Sequence, residues 1–372
     1  MSPLSSSEQL LLRLLREVLW SQGAPVDAPY PDLPTCQATY ALAKKQAVEG
    51  IIDKRLSEMM AQAGATQELL LQHAQRKWTI VRTNQHVDQV VIKVVNALQQ
   101  SNIGYVMVKG QGVARHYPTP QLRKPGDIDL YVGTANYQAA IDALLPLAQT
   151  EVSEEDKHAS LVVDGIDIEI HHSVISQRHT ADGRRLQQWA ARALAPECSR
   201  TIQVAGVNVE IPSENAESMY IFYHAWHHLF HHSGVGLRQL IDWMLTLHDD
   251  HAAIDVDKLE ALLRKVHLLN DWQTFAALLV RHLGMPAEEV PLYQTGRERR
   301  ADHLLRIVMQ RGNHGEQGYA ELLAHRPKSR LRGRLYTMQR FLRLYADLYH
   351  VAPRSARNSI AMYLKKGCRH HD

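Results

Sequence analysis

The feature that most constrains the fold is a pair of aspartates, Asp127 and Asp129, at the start of the short apolar run 128–132. An earlier apolar run, 105–108, ends at Lys109-Gly110. Side chains alternate between the two faces of a strand, so both aspartates should point to one side while their apolar neighbours enter a core. The two runs are therefore predicted to be strands of a sheet that displays two carboxylates on one face.

A β-hairpin is predicted at about 159–172, because Asp164-Gly165 is a typical type I′ turn pair between β-branched residues. In the return strand, the isoleucines at 166, 168 and 170 share one face, and Asp167, Glu169 and His171 share the other. Carboxylates on a central strand need a charged partner or a metal ion. Asp167 and Glu169 are thus rival candidates for a third carboxylate beside the first two.

The rest of the chain carries mostly helical signals. Ser5 and Glu8 form a capping box that opens an amphipathic helix. A stripe of valines between Val87 and Leu98 predicts a second strong helix, and residues 136–148 also have helical spacing. A second hairpin is predicted at 201–211. This order predicts a compact core of strands and helices between two helical regions, with bounds at 1–84, 85–212 and 213–372.

Length and composition limit the number of domains and the class of protein. A chain of 372 residues is long enough for two or three domains. It has no uncharged apolar run of about 18 residues, so no membrane span is expected. The amino terminus lacks the basic start of a signal peptide, and three widely spaced cysteines do not form a disulfide framework. The cytoplasm is therefore the predicted compartment.

The ordered motifs resemble a known family. The set comprises Lys109-Gly110, Arg123, Gly126-Asp127-Ile128-Asp129-Leu130 and Glu169-Ile170-His171. It is similar to the uncharacterised bacterial nucleotidyltransferases of the DNA polymerase β superfamily, over about residues 85 to 250. Two departures stand out: Gln111 follows Gly110 where the superfamily usually has serine or glycine, and the spacing from Gly110 to Asp127 is longer than in minimal enzymes.

The resemblance implies an α+β fold with a polymerase-β-like core, in which a small mixed sheet packs with helices and helical regions flank it. It also implies transfer of a nucleoside monophosphate from an NTP, such as ATP, to a sugar, small metabolite or protein side chain, with release of pyrophosphate. Two Mg²⁺ or Mn²⁺ ions would assist. By resemblance, the catalytic metal ligands are Asp127, Asp129 and Glu169, and the nucleotide contacts are Lys109, Gly110, Gln111, Arg123 and His171.

Several alternatives remain open at the level of sequence. In one alternative, the core holds nucleotide without turnover, as a binding module whose basic C-terminal region binds an anionic partner. Residues 326–372 carry a net charge of +10, and an apolar stripe from Leu335 to Leu348 equally predicts packed helices with a solvated basic face. The histidine-rich segment 220–232 suggests a zinc-binding site, although it lacks an H-E-x-x-H motif and clustered cysteines.

Overall fold

The computed structural model describes residues 3–20, 30–176, 180–231, 234–312, 327 and 329–359. The α-helices are α1 Ser6–Trp20, α2 Leu33–Lys45, α3 Glu49–Gln62, α4 Gln67–Gln100, α5 Gln111–Ala114, α6 Gly133–Leu144, α7 Ala181–Ala193, α8 Glu214–His231, α9 Leu237–Asp250, α10 Val256–Lys265, α11 Leu269–Leu283, α12 Glu298–Arg311 and α13 Arg330–Val351. The strands are β1 Val106–Met107, β2 Ile128–Tyr131, β3 Ser153–Glu154, β4 His158–Val163, β5 Ile166–His171, β6 Arg200–Val204 and β7 Val207–Ile211.

The chain forms two compact units. Residues 66–221 and 245–267 make up one, which we call the sheet unit. Residues 1–65, 222–244 and 268–372 make up the other, which we call the helical unit. The predicted α+β class is confirmed, since a small mixed sheet stands among many helices.

The main sheet has the strand order β1-β2-β5-β4-β3, which places β5 at its centre. Strands β1 and β2 are antiparallel, β2 and β5 are parallel, and β5 and β4 are antiparallel. The parallel register sets Asp129 directly opposite Glu169. Two acidic residues that lie 40 positions apart in the printed sequence therefore become neighbours on one face of the sheet.

Both predicted hairpins are confirmed, and their turns have the expected backbone. Asp164 and Gly165 have φ values of 48° and 77°, and Ala205 and Gly206 have values of 48° and 87°. Two consecutive positive φ angles define the type I′ turn, whose twist matches that of the flanking strands. The short edge strand β3 carries no comparable signal, and the sequence analysis missed it.

The apolar face of the sheet packs against α4 and α6. Buried Ile128, Leu130, Ile168 and Ile170 share one hydrophobic cluster with the predicted valine stripe of α4. At its start, Thr66 caps α4 by accepting a hydrogen bond from the amide of Leu69. Because the core takes one face of β2 and β5, their acidic residues must lie on the other.

Helix α1 of the helical unit begins at the capping box that the sequence predicts. The amide and hydroxyl of Ser5 donate to the Glu8 carboxylate at 2.7 and 2.9 Å, which confirms the capping box. The unit's core holds an aromatic cluster with ring centroids 4.8–6.4 Å apart, formed by Phe222, Trp243, Trp272 and Phe275. Within the described residues, no helix combines the length and the apolar character needed to cross a bilayer.

The predicted apolar stripe near the C-terminus is only partly correct. Leu348 of α13 is buried, but Leu335 and Leu342 remain about half exposed, at 46% and 51%. Helix α13 packs against α12, which provides one neighbour and does not enclose the whole stripe. Residues 326, 328 and 360–372 of the basic segment lie outside the described residues, and binding of the segment to an anionic partner stays a prediction.

Candidate active site

Three carboxylates meet on the polar face of the sheet. One oxygen each from Asp127, Asp129 and Glu169 lie within 4.8 Å of one another. Asp129 is fully buried, whereas Asp127 and Glu169 are partly exposed. Asp167 is exposed and stands apart from this group. Of the two rival carboxylates on β5, the structure therefore brings Glu169 to the aspartates.

Two basic side chains contact the buried aspartate through the same oxygen. Lys109 Nζ lies 2.8 Å from Asp129 Oδ1, and His171 Nε2 lies 3.0 Å from it. Burial alone would raise the pKa of Asp129, but the charges of Lys109 and His171 hold that pKa below its ordinary value. Asp129 Oδ2 is buried and has no hydrogen-bond partner among the described residues. Asp129 is thus kept ionised with one oxygen available to a ligand.

His171 also joins the third carboxylate to the group. Its Nε2 lies 3.1 Å from Glu169 Oε2. Burial would lower the pKa of His171, but hydrogen bonds to Asp129 and Glu169 raise it above its ordinary value. Burial opposes the ionisation of Glu169 as well, yet His171 and Lys109 lower the pKa of Glu169 to about 2. The group therefore holds its carboxylates ionised.

Lys157 and Tyr220 border the same group, and the sequence analysis missed both. Lys157 directly precedes β4, and its pKa is lowered by burial and by the neighbouring charge of Lys109. Tyr220, on α8, is buried, and its pKa is raised by burial despite the nearby ammonium of Lys109. Neither residue belongs to a local sequence motif. Both reach the site through tertiary packing, so the sequence analysis could not predict them.

The segment after β1 contains the other predicted nucleotide contacts. Gly110 has φ 68° and ψ −125°, and a Cβ there would lie 3.4 Å from the Asp127 carbonyl oxygen. Glycine therefore suits this positive-φ backbone, which L side chains rarely adopt. The Gln111 side chain donates a hydrogen bond to Asp88 of α4. Arg123 is buried, with its guanidinium 6.0 Å from the centre of the Tyr117 ring.

The carboxylate group suits a hard divalent cation. Magnesium prefers oxygen ligands and is usually held by a few carboxylates together with water and substrate phosphates. Asp127, Asp129 and Glu169 provide such oxygens, and the buried Oδ2 of Asp129 lacks a protein partner among the described residues. A ligand with positive charge would complete that oxygen's coordination, since a buried unpartnered carboxylate oxygen is costly.

A second charged group in the sheet unit also escaped the sequence analysis. Arg115 donates to both oxygens of Glu217, at 2.9 and 2.7 Å. Arg200 donates to Glu217 at 2.7 Å and to Asp250 at 2.6 Å. His116 Nδ1 lies 2.6 Å from Asp249 Oδ2. These residues come from distant parts of the chain, so no local sequence pattern predicts the group.

The histidine-rich helix α8 contributes pairs of imidazoles in the helical unit. His224 Nε2 lies 3.1 Å from His228 Nε2, and the rings of His227 and His231 are 5.0 Å apart. Among the described residues, the groups of three or more potential metal ligands lie elsewhere. His232 lies outside the described residues.

The match to a family model agrees with the motif analysis. A family model described as uncharacterised nucleotidyltransferase matches residues 34–284. No curated protein matches the chain. A crystal structure of ANT(2")-Ia in complex with adenylyl-2"-tobramycin is similar with a TM-score of 0.35 and 14% sequence identity, over 49% of this chain and 97% of that one. The family assignment rests on the match to the family model, which spans more than half of the chain.

Proposed function

Since the chain belongs to the uncharacterised nucleotidyltransferase family, we propose that it transfers a nucleoside monophosphate from an NTP to an acceptor and releases pyrophosphate. The observation that supports this proposal is the convergence within 4.8 Å of Asp127, which directly precedes β2, with Asp129 and Glu169 on the parallel strands β2 and β5. These three residues would hold the divalent ions, Mg²⁺ or Mn²⁺. When bound, such ions stabilise the attacking and leaving oxygens of an in-line displacement.

Lys109 and His171 prepare the carboxylates for this role. Both contact Asp129 Oδ1, so they fix the orientation of that carboxylate and favour its ionised form. His171 in addition keeps Glu169 beside Asp129 through its 3.1 Å contact. The two residues are thus proposed to position the metal ligands, with Lys109 also supplying positive charge beside the triphosphate.

The nucleotide's phosphates are proposed to lie against the segment that begins at Gly110. The Gln111 side chain is engaged with Asp88, so we assign its phosphate contact to the backbone. The absence of a side chain at Gly110 permits a close approach to that backbone. Arg123 and Lys124, on the loop that leads into Asp127, are the proposed partners of the β- or γ-phosphate.

The test is transfer of label from each of the four NTPs labelled at the α-phosphate, with Mg²⁺ or Mn²⁺. The protein is incubated alone and with cell extract, so that modification of the protein itself separates from modification of a sugar, small metabolite or other protein. ATP labelled at the γ-phosphate is the matched control, because nucleotidyl transfer sends that label only into pyrophosphate.

Asp127→Asn should abolish transfer, whereas Asp167→Asn, which alters an exposed carboxylate on β5, should retain it. Nucleotide binding without transfer under all of these conditions would contradict the proposal. That outcome would instead favour a binding module that holds NTP without turnover.

A further inference from the structure

Two histidines face each other beside the carboxylate group. In the antiparallel register of β4 and β5, His158 lies directly opposite His171, and their ring centroids are 4.9 Å apart. Directly opposed residues in such a pair project to the same face of a sheet. Glu169, two residues before His171, projects to that face as well. One ligand atom each from His158, Glu169 and His171 lie within 4.8 Å of one another.

The surroundings of His158 indicate a missing partner for its imidazole. His158 and His171 are both more than nine-tenths buried, at 7% and 5% exposed, and Nδ1 of His158 lacks a hydrogen-bond partner among the described residues. His158 Nε2 lies 3.7 Å from Glu169 Oε1 and 3.8 Å from Glu155 Oε2, which is beyond hydrogen-bonding distance. A buried polar ring without such a bond is costly, so a ligand at this point would offset its desolvation.

We propose that His158, Glu169 and His171 form a binding site for a first-row transition-metal ion such as Zn²⁺. Imidazole nitrogen suits zinc, cobalt and nickel, whereas magnesium prefers oxygen ligands alone. Two histidines and one carboxylate are also a known donor set of open zinc sites. Glu155, on the turn before β4, has a carboxylate near enough to His158 to serve as a fourth ligand.

This site differs in donor chemistry from the carboxylate group, although the two share Glu169. The carboxylate group has only oxygen donors, while the histidine site contributes two nitrogens. A metal ion bound by His171 Nε2 would replace the hydrogen that this nitrogen directs at Asp129 and Glu169. Occupancy of the histidine site would therefore alter the ligands of the carboxylate group. The proposal itself does not require nucleotide transfer.

The test measures metal binding in the absence of nucleotide. Zn²⁺ binding is followed by equilibrium dialysis with metal analysis, and Co²⁺ serves as a probe whose visible absorption reports the coordination geometry. The wild-type chain should bind both ions in the presence of excess Mg²⁺. His158→Gln should weaken binding by at least about tenfold, the lower end of the cost of losing even an outer-shell partner.

Two matched variants separate this site from its neighbours. Asp127→Asn removes a carboxylate-group ligand that the histidine site does not use, so Zn²⁺ binding should persist. His172→Gln removes the next imidazole in the chain, whose ring packs 4.8 Å from Tyr137, and should also leave Zn²⁺ binding intact. X-ray absorption of the wild-type Zn²⁺ complex should show two imidazole ligands. This measurement uses no variant, so its result does not depend on whether His158→Gln folds.

The proposal is overturned if the wild-type chain binds neither Zn²⁺ nor Co²⁺. It is equally overturned if His158→Gln binds both as tightly as wild type, or if the absorption data show oxygen ligands only. Loss of binding in Asp127→Asn with no effect of His158→Gln would place the ion on the carboxylate group. Each of these results leaves the nucleotidyl-transfer assay free to succeed or fail on its own.

Discussion

The sheet unit contains two groups of charged residues that are alike in geometry and different in what neutralises them. His116, Glu217 and Asp250 bring ligand atoms within 4.8 Å of one another, just as Asp127, Asp129 and Glu169 do. By distance alone, both groups can hold a metal ion. Their neighbours distinguish them, because two guanidinium groups contact Glu217, whereas an ammonium and an imidazole contact Asp129.

Around Glu217 the carboxylate oxygens are already satisfied. Arg115 binds the two oxygens in a bidentate pair, and Arg200 adds a further contact. The planar, permanently charged guanidinium matches a carboxylate closely and leaves little room for a metal ion. Burial opposes the ionisation of Glu217, but Arg115 and His116 lower its pKa to about 2. This group is therefore best understood as a structural ion network.

Around Asp129 the neutralisation is incomplete. An ammonium and an imidazole approach one oxygen, while the other is buried and unpartnered within the described part of the chain. Lysine provides a compact point charge on a flexible stem and does not form the rigid fork of arginine. The comparison teaches that the type of cation beside a carboxylate cluster, more than its ligand distances, separates a structural network from a ligand site.

The largest expected effect tests this distinction through catalysis. Asp127→Asn and Asp129→Asn should each lower label transfer by about a thousandfold or more, the upper end of the loss on removing one fixed electrostatic contact. Asp127→Asn should leave the fold intact, whereas Asp129→Asn also removes the buried partner of Lys109 and His171 and should cost stability. Asp127 is partly exposed, so its substitution should change the free energy of unfolding by no more than about 0.5 kcal/mol. Transfer within a few-fold of wild type in either variant would refute the carboxylate site.

Glu217→Gln should cause a large loss of stability, in contrast to Asp127→Asn. Breaking a buried charge pair on one side costs about 3 kcal/mol or more, because the partner charges stay without compensation. Glu217 is 1% exposed, and Arg115 and Arg200 both depend on it. Denaturant unfolding of Glu217→Gln and Asp127→Asn side by side measures the contrast. Equal stability of the two variants would mean that the network contributes little.

The sequence predicted the elements of the candidate site better than its surroundings. The Asp164-Gly165 turn, the alternating face of β5 and the D-x-D spacing are local patterns that directly reflect backbone geometry. They sufficed to predict a hairpin with Glu169 and His171 on one face. The parallel register that sets Asp129 opposite Glu169 is tertiary information that the sequence analysis did not predict. The family resemblance favoured Glu169 as the third carboxylate without it.

The ion network could not be predicted in the same way. Glu217 lies 102 residues from Arg115, and Arg200 lies 50 residues from Asp250, so each contact depends on how helices and strands pack. Single charged residues are common on helices and are ordinarily solvated. His158 shows the same difficulty, since its role depends on cross-strand pairing with His171. The bounds of the predicted domains stay a prediction.

A smaller effect separates the two acidic residues of β5. Glu169→Gln should reduce the rate of transfer more than it reduces the affinity for NTP, because the ion that Glu169 would hold would assist the attacking oxygen of the acceptor. Asp167→Asn should be close to wild type, as its side chain is exposed and outside the carboxylate group. The rate at saturating NTP and the dissociation constant for NTP are measured separately. A milder defect in Glu169→Gln than in Asp167→Asn would reverse the assignment.

The smallest effect is a pH dependence within the ion network. Burial would lower the pKa of His116, but hydrogen bonds to Asp249 and Glu217 raise it above the ordinary value of 6.5. A group whose folded-state pKa is raised contributes stability below its unfolded pKa and loses that contribution as the pH rises through the folded value. His116→Gln should therefore destabilise the chain more at mildly acidic than at alkaline pH. Arg115, also beside His116, opposes its protonation at every pH of the test and so does not change the sign.

The measurement is the free energy of unfolding of wild type and His116→Gln in denaturant at a mildly acidic and an alkaline pH. The difference between the two proteins should shrink as the pH rises, because wild-type His116 then loses the proton that it shares with Asp249. His172→Gln is the matched control, since its ring packs against Tyr137 and belongs to neither charged group. A difference that is constant with pH would show that His116 acts through packing alone, and the ion network would then consist of guanidinium–carboxylate pairs without a titrating member.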